Sequence, residues 1–154
     1  ASGSLLKERA RPFRSIAPEL RRRREWPFAL CAHLFYSPAM TTLIYKIAPR
    51  ALWREAEAKG AFAGAPVDLA DGYIHFSTAA QVAGTAAKHF SGQDDLVLVA
   101  VDAGRLGAAL KWEAARGGAL FPHLYAKLDP AAALWVKPLP LGPDGAHLFP
   151  ELDT

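Results

Sequence analysis

The chain has 154 residues, 51% of them hydrophobic and 21% charged, which fits one folded domain and excludes a largely disordered chain. Its net charge of +3 arises in the first 39 residues, where eight Lys/Arg and three Glu give +5, so residues 40–154 carry −2. The body of the chain therefore gives no strong signal for binding nucleic acid.

The single cysteine, Cys31, cannot form an internal disulfide, and no Cys/His group has the spacing of zinc ligands. We therefore expect no metal site and a reducing, cytoplasmic location. No apolar run approaches the roughly 20 residues that span a bilayer, so no membrane partner is expected.

Residues 1–39 form a basic leader that prolines interrupt at four positions. Regular patterning begins after Met40, the only methionine, so we interpret residues 1–39 as a disordered extension and Met40 as the natural start. A basic tail that touches nucleic acid or anionic lipid is one alternative. A secretory signal is another, because apolar residues 26–36 follow four arginines. Residues 40–154 are predicted to form a single globular domain.

Residues 42–47, TLIYKI, are rich in β-branched and aromatic residues and predict a first strand. A helix should follow, with Pro49 at its first position and Gly60 just past its end. Residues 61–72 contain several glycines and a proline and are predicted to be a loop. Its two aspartates are interpreted as turn formers: Asp68 and Asp71.

The next segment, DGYIHFST at residues 71–78, separates two kinds of side chain. Strands alternate their side chains, so Tyr73, His75 and Ser77 should share one face while the intervening apolar residues share the other. The polar face can line a site. The alternative is structural, with His75 donating one ring nitrogen to a backbone carbonyl at a sheet edge.

A second helix is predicted from the spacing of Thr78 and Gln81, which is that of a capping box, and should run to about residue 89. Backbone N–H groups at such a helix start favour a phosphate or another anion, so Ser77 can face a ligand while Thr78 caps. Residues 96–101 are six consecutive apolar residues and predict a central strand covered on both faces.

A second aromatic and histidine row appears in FPHLY, where Phe121, His123 and Tyr125 should share a strand face. We expect this row and the first one to line one cleft, although the two aromatic residues would also suit a core. Glu113 precedes the reversal that delivers His123 and is the best-placed carboxylate. A surface glutamate would look the same, and the connection is too long to fix the register.

The predicted elements amount to five or six strands and two main helices. Trp53, Trp112 and Trp135 are expected in the core. Pro122 is expected at a strand start or a sheet edge, and residues 133–139 predict the last strand. Because hairpin signals are concentrated late, the pattern is typical of an α+β fold rather than of βαβ alternation.

Five segments in chain order, IYKI, DGYIHFSTAAQV, LVLVAVD, LKWE and FPHLYAKL, resemble the bacterial family called domain of unknown function 952. The resemblance covers roughly residues 42–140. That family is similar in fold to the ADP-ribosyltransferases. The resemblance therefore implies an α+β domain with two main helices and a small split sheet, mixed or antiparallel, whose crevice takes NAD.

The resemblance also implies roles for single residues. Glu113 would steady the positive charge at the ribose C1′ as nicotinamide leaves, supported by a stacking tyrosine and a histidine on phosphate or ribose. The expected catalytic residues are Glu113, His75 and His123. The expected nucleotide-binding residues are Tyr45, Lys46, Tyr73, Ser77, Thr78 and Tyr125.

The leading hypothesis is thus an ADP-ribosyl-type transferase that uses NAD or a related nucleotide. A non-catalytic module that binds a nucleotide or a small anion is the first alternative. An RNA 2′-phosphotransferase-like enzyme, in which basic side chains hold a phosphate, is the second.

Overall fold

The computed structural model of the protein describes residues 41–115 and 117–153. The predictions made for residues 1–39, namely a disordered extension, a basic tail or a secretory signal, lie outside these residues, and so does Met40. Within the described ranges, none of the helices is long and apolar enough to span a bilayer.

The described residues form six strands and three α-helices. In chain order these are β1 (Leu43–Pro49), α1 (Arg50–Lys59), α2 (Pro66–Asp71), β2 (Ile74–His75), α3 (Ala79–His89), β3 (Leu96–Asp102), β4 (Leu110–Ala114), β5 (Leu120–Leu124) and β6 (Ala133–Leu139). The strands make two antiparallel three-stranded sheets, ordered β1-β3-β6 and β2-β5-β4. The predicted α+β class is confirmed.

The first sheet is covered by helices on both faces. One face of β3, with Val97, Val99 and Val101, packs in a cluster with Trp53 of α1. The other face packs with Val82 of α3. Six of the seven β3 residues are buried, which is why this strand reads as an unbroken apolar run in the sequence.

The ends of the two longer helices follow their sequence signals closely. Gly60 ends α1 in the left-handed conformation, at φ 70°, and its N–H bonds the Ala56 carbonyl. Gln81 Oε1 accepts a hydrogen bond from Thr78 N at 3.0 Å, which is half of the predicted capping box. Pro49 differs from the prediction, because it is the last residue of β1 and lies just before the first helical residue.

The predicted loop at residues 61–72 contains the short helix α2, so that prediction is wrong. Pro66 is its first residue, where a missing N–H costs nothing. Asp68 Oδ2 accepts a hydrogen bond from Ala65 N at 2.7 Å and so satisfies a donor at the helix start. Asp68 is therefore a buried helix residue and not an exposed turn former.

The strand predicted from DGYIHFST is cut short to two residues, because the chain passes from one sheet to the other. Beyond β2, Ser77 and Tyr45 exchange backbone hydrogen bonds of 2.8 and 2.9 Å. Pro122 contributes to this ending: its carbonyl accepts from Phe76 N, so its backbone faces β2, where its missing N–H removes a ladder bond.

Two structural predictions about single residues need correction. Pro122 lies inside β5, the central strand of the second sheet, and not at a strand start or a sheet edge. Trp112 is 41% exposed because β4 is an edge strand, whereas Trp53 is in the core as predicted. Trp135 is half-buried, with its ring centroid 5.8 Å from that of Tyr45.

Candidate functional site

One surface of the second sheet gathers polar and aromatic side chains from both predicted rows. His75 and His123 are direct cross-strand partners, so they emerge on the same side, while Ile74 and Leu124 enter the core. Lys111 is the partner of His123 on the other edge and places its Nζ 4.3 Å from the Tyr125 ring centroid. We call this surface the histidine face: Tyr73, His75, Lys111, Glu113, His123 and Tyr125.

Glu113 is joined to two other members of the histidine face. His123 Nδ1 lies 2.8 Å from Glu113 Oε2, and the Tyr125 hydroxyl donates to the same oxygen at 2.9 Å. These hydrogen bonds, the one from His123 first, lower the pKa of Glu113. The bond to Glu113 in turn raises the pKa of Tyr125. At neutral pH the site thus holds an anionic carboxylate and a protonated phenol.

Tyr73 is the aromatic centre of the histidine face. Its ring stacks on His123 with centroids 4.3 Å apart and lies 4.7 Å from His75 and 5.1 Å from Tyr125. The two imidazoles themselves meet edge to face, with centroids 5.3 Å apart. The segments around β2 and β5 therefore contact each other through these rings.

A buried ion pair adjoins the histidine face. Asp68 Oδ1 lies 2.8 Å from His75 Nδ1 and 3.0 Å from the donating His75 backbone N. Lys46 Nζ lies 2.8 Å from Asp68 Oδ1 and 2.7 Å from Asp68 Oδ2. Both charged residues are almost fully buried, at 3% exposure for Lys46 and 1% for Asp68.

The protonation of this pair follows from its surroundings. Burial alone would raise the pKa of Asp68, but the hydrogen bonds from His75 and Lys46 and the charge of Lys46 outweigh it and lower the pKa to about 2. Burial lowers the pKa of the Lys46 ammonium, and the attraction of Asp68 opposes that shift.

Asp68 is not among the site residues predicted above, although the sequence contains a signal for its burial. Lys46 is the one charged residue of β1, whose next neighbours in the strand are buried and apolar. A lysine in a buried strand needs an acidic partner. Asp68 follows Pro66 at the spacing of an acidic first helical turn, so this pattern could have suggested a buried helix start.

Three of the expected nucleotide-binding residues lie away from the histidine face. Tyr45 packs against the α3 side of the first sheet, and its hydroxyl donates to the Asp153 carbonyl at 2.8 Å. The Ser77 hydroxyl is buried and lies 3.0 Å from the Thr85 hydroxyl, so Ser77 does not share the face of His75 as expected. Thr78 starts α3.

The remaining expected site residues are brought together. Direct contacts link five of them into one group: Tyr73, His75, Glu113, His123 and Tyr125. Lys46 is connected to this group through Asp68, which contacts His75. Two surface depressions, of about 510 and 360 Å³, lie elsewhere and include none of these side chains. Across the described ranges, no group of three or more His, Cys, Asp or Glu is arranged to hold a metal ion.

The arrangement is suited to proton transfer and to charge stabilisation. An imidazole held at one nitrogen by a carboxylate has its tautomer and orientation fixed. The His123 side chain is 13% exposed, and its other ring nitrogen, Nε2, makes no hydrogen bond to a side chain of the described residues.

Comparisons with known proteins agree with one another. The family model DUF952, described as a protein of unknown function, matches residues 47–136. The crystal structure of protein CC0527 from Caulobacter crescentus is 54% identical, with a TM-score of 0.68, over 70% of this chain and 94% of that one. The solution NMR structure of the same protein gives 55% identity and a TM-score of 0.62, over 68% and 90% of the two chains. No curated protein matches the chain.

Proposed function

The chain belongs to the DUF952 family, which is described as being of unknown function. The geometry of the histidine face is therefore the basis for a proposed activity. We propose that the protein is an ADP-ribosyl-type transferase with NAD or a related nucleotide as donor. In that reaction the bond between C1′ and the nicotinamide nitrogen breaks, and its electron pair leaves with nicotinamide. An acceptor oxygen then forms the new bond to C1′.

One observation carries this proposal: Glu113 is bound by His123 and Tyr125, yet its side chain remains 40% exposed. An anionic carboxylate in this position is held in place and still open to a ligand. It would stabilise the positive charge that develops at C1′ in the transition state. His123 Nε2 would accept the proton that the attacking acceptor loses.

The aromatic residues of the histidine face supply a platform for the donor. Tyr125 is exposed, and Tyr73 already makes a ring-on-ring contact with His123. A nicotinamide ring would bind by the same offset stacking. The exposed Lys111 lies beside Tyr125 and would meet a phosphate of the donor.

The facing imidazoles favour a second candidate function. His75 and His123 lie edge to face at 5.3 Å, and each is held by a carboxylate. Two imidazoles at this distance can contact one phosphate group from two sides. This supports an RNA 2′-phosphotransferase-like activity in which the pair holds the phosphate.

Release of nicotinamide from NAD, with water as the acceptor, tests the first proposal. Wild-type protein is expected to release nicotinamide, and Glu113→Gln is expected to reduce the rate by about 100-fold or more. Glu151→Gln is the matched control, since Glu151 is an exposed glutamate outside the histidine face. No release by wild type, or equal release by Glu113→Gln, would contradict the proposal.

Two other outcomes separate the alternatives. Tight nucleotide binding without turnover would favour a non-catalytic module. Loss of a 2′-phosphate from RNA that requires NAD and disappears in His75→Ala would favour the phosphotransferase.

A further inference from the structure

The buried pair beside the histidine face has a role that the proposed function does not use. We propose that Asp68 is a positioning residue, which holds the His75 imidazole in one orientation with a proton on Nδ1. Lys46 keeps the Asp68 carboxylate in place as a charged acceptor. The role of the oriented His75 ring in ligand binding rests on the proposed function, because His75 belongs to the same site.

The geometry around one oxygen atom supports this role. Asp68 Oδ1 accepts from the backbone N of His75 at 3.0 Å and lies 2.8 Å from Nδ1 of the same residue. Two contacts from one oxygen to one residue fix both its backbone and its ring. A carboxylate has no proton to donate, so the contact at Nδ1 is a hydrogen bond only when Nδ1 carries the proton.

Stabilisation of α2 alone does not account for these contacts. The bond that Lys46 donates to Asp68 already anchors α2 to β1, and the bond that Ala65 N donates already satisfies the helix start, both without His75. The contact with a ring that is 34% exposed adds little to the core, but it decides which ring nitrogen faces outward. Metal-ligating histidines are oriented in the same way, by a carboxylate that accepts a hydrogen bond from the ring nitrogen that does not bind the metal.

The outward nitrogen faces an exposed carboxylate. His75 Nε2 lies 3.2 Å from Asp71 Oδ2, and Asp71 is an exposed residue at the end of α2. The groups that face the ring are thus Asp68, Asp71, Tyr73 and His123. Asp68 is buried and held by several hydrogen bonds, whereas Asp71 is exposed, so a ligand that reaches Nε2 would have to displace the Asp71 side chain.

Lys46 makes the positioning carboxylate tolerable in the core. Its ammonium lies within 2.8 Å of both Asp68 oxygens and is itself buried. A buried carboxylate without a cationic partner is strongly unfavourable. Removing Asp68 alone would in turn leave Lys46 unpaired, so a useful variant removes both charges.

Nitrogen-15 NMR of the imidazole rings tests the inference at neutral pH. In wild type the His75 Nδ1 signal is expected to be that of a protonated nitrogen, with the signals assigned through His75→Gln. In the charge-free variant Lys46→Met/Asp68→Ala, the His75 signals should move to those of a freely exchanging imidazole. The His123 signals are the internal control, because Glu113 is unchanged.

The outcomes are distinct from those of the NAD assay. An unprotonated His75 Nδ1 in wild type would overturn the inference without any variant. Unchanged His75 signals in the folded double variant would do the same. If His75 behaves as expected but no nicotinamide is released, the positioning role stands and the proposed transferase activity falls.

Discussion

Tyr73 stacks on His123, with ring centroids 4.3 Å apart and planes inclined at 26°. The two residues come from different segments, one just before β2 and the other within β5. Their contact joins the two rows of aromatic and histidine residues that the sequence shows separately. The histidine face is therefore one surface and not two.

The Tyr73 ring is expected to set nucleotide affinity. Tyr73→Leu removes the stacking surface and should weaken NAD binding by about tenfold, because a stacked ring contributes roughly 1–3 kcal/mol. Tyr73→Phe keeps the ring and should bind within about threefold of wild type. Titration calorimetry measures both. Equal loss in the two variants would mean that the hydroxyl, and not the ring, makes the contact.

Acid should lower the free energy of unfolding because it protonates the Asp68 carboxylate. The pKa of Asp68 is about 2 in the folded protein and 3.8 ordinarily, so the unfolded state binds more protons between these values. The lowered pKa of Asp68 contributes roughly 2 kcal/mol to the free energy of unfolding above about pH 4. This contribution is lost as the pH falls to about 2. Urea unfolding at several pH values measures it. Lys46→Met/Asp68→Ala should lack this component, and an identical acid dependence would contradict the assignment.

Gly64 should resist substitution while Gly84 should not. Gly64 has φ +116°, and a Cβ there would lie 2.6 Å from Asp68 Cβ, so Gly64→Ala should destabilise the fold by about 2–4 kcal/mol. Gly84 lies within α3 with open space around it, so Gly84→Ala should stabilise by about 0.5–1 kcal/mol. Thermal unfolding compares the two, and similar effects of both would refute the crowding at Gly64.

The Glu113 carboxyl should titrate at higher pH once its donors are removed. His123→Ala should raise its pKa most and Tyr125→Phe less, because the His123 hydrogen bond is the larger cause of the lowered value. Carbon-13 NMR of the side-chain carboxyl follows the titration. Glu151 serves as the reference in the same spectra. A Glu113 pKa that does not move in either variant would show that these bonds do not form in solution.

The sequence predicted the parts of the fold that depend on local patterns. The apolar run of β3 and the boundaries of α3 are set by residues that are neighbours in the chain. The loop predicted at residues 61–72 contains α2 because Pro66 and Asp68 together satisfy the first turn of that helix. That depends on burial of Asp68, which a local pattern does not show.

The candidate site was predictable in its members but not in its contacts. His75, His123 and Glu113 stand out by residue type, yet the registers of β2 and β4 against β5 decide whether they meet. Glu113 pairs with Phe121 and reaches His123 diagonally. Ser77 does not lie on the expected face because its backbone pairs with Tyr45 of the first sheet. Strand alternation cannot predict such a long-range pairing.

The brevity of β2 has a consequence for amide hydrogen exchange. β2 pairs over two residues only, whereas β3 is paired with β1 along its whole length and with β6 from Leu96 to Val101. Exchange by local opening should therefore reach the amides of β2 long before those of β3. A ligand bound at the histidine face would slow exchange at Ile74, so the protection of this amide reports occupancy even when no chemical product is formed.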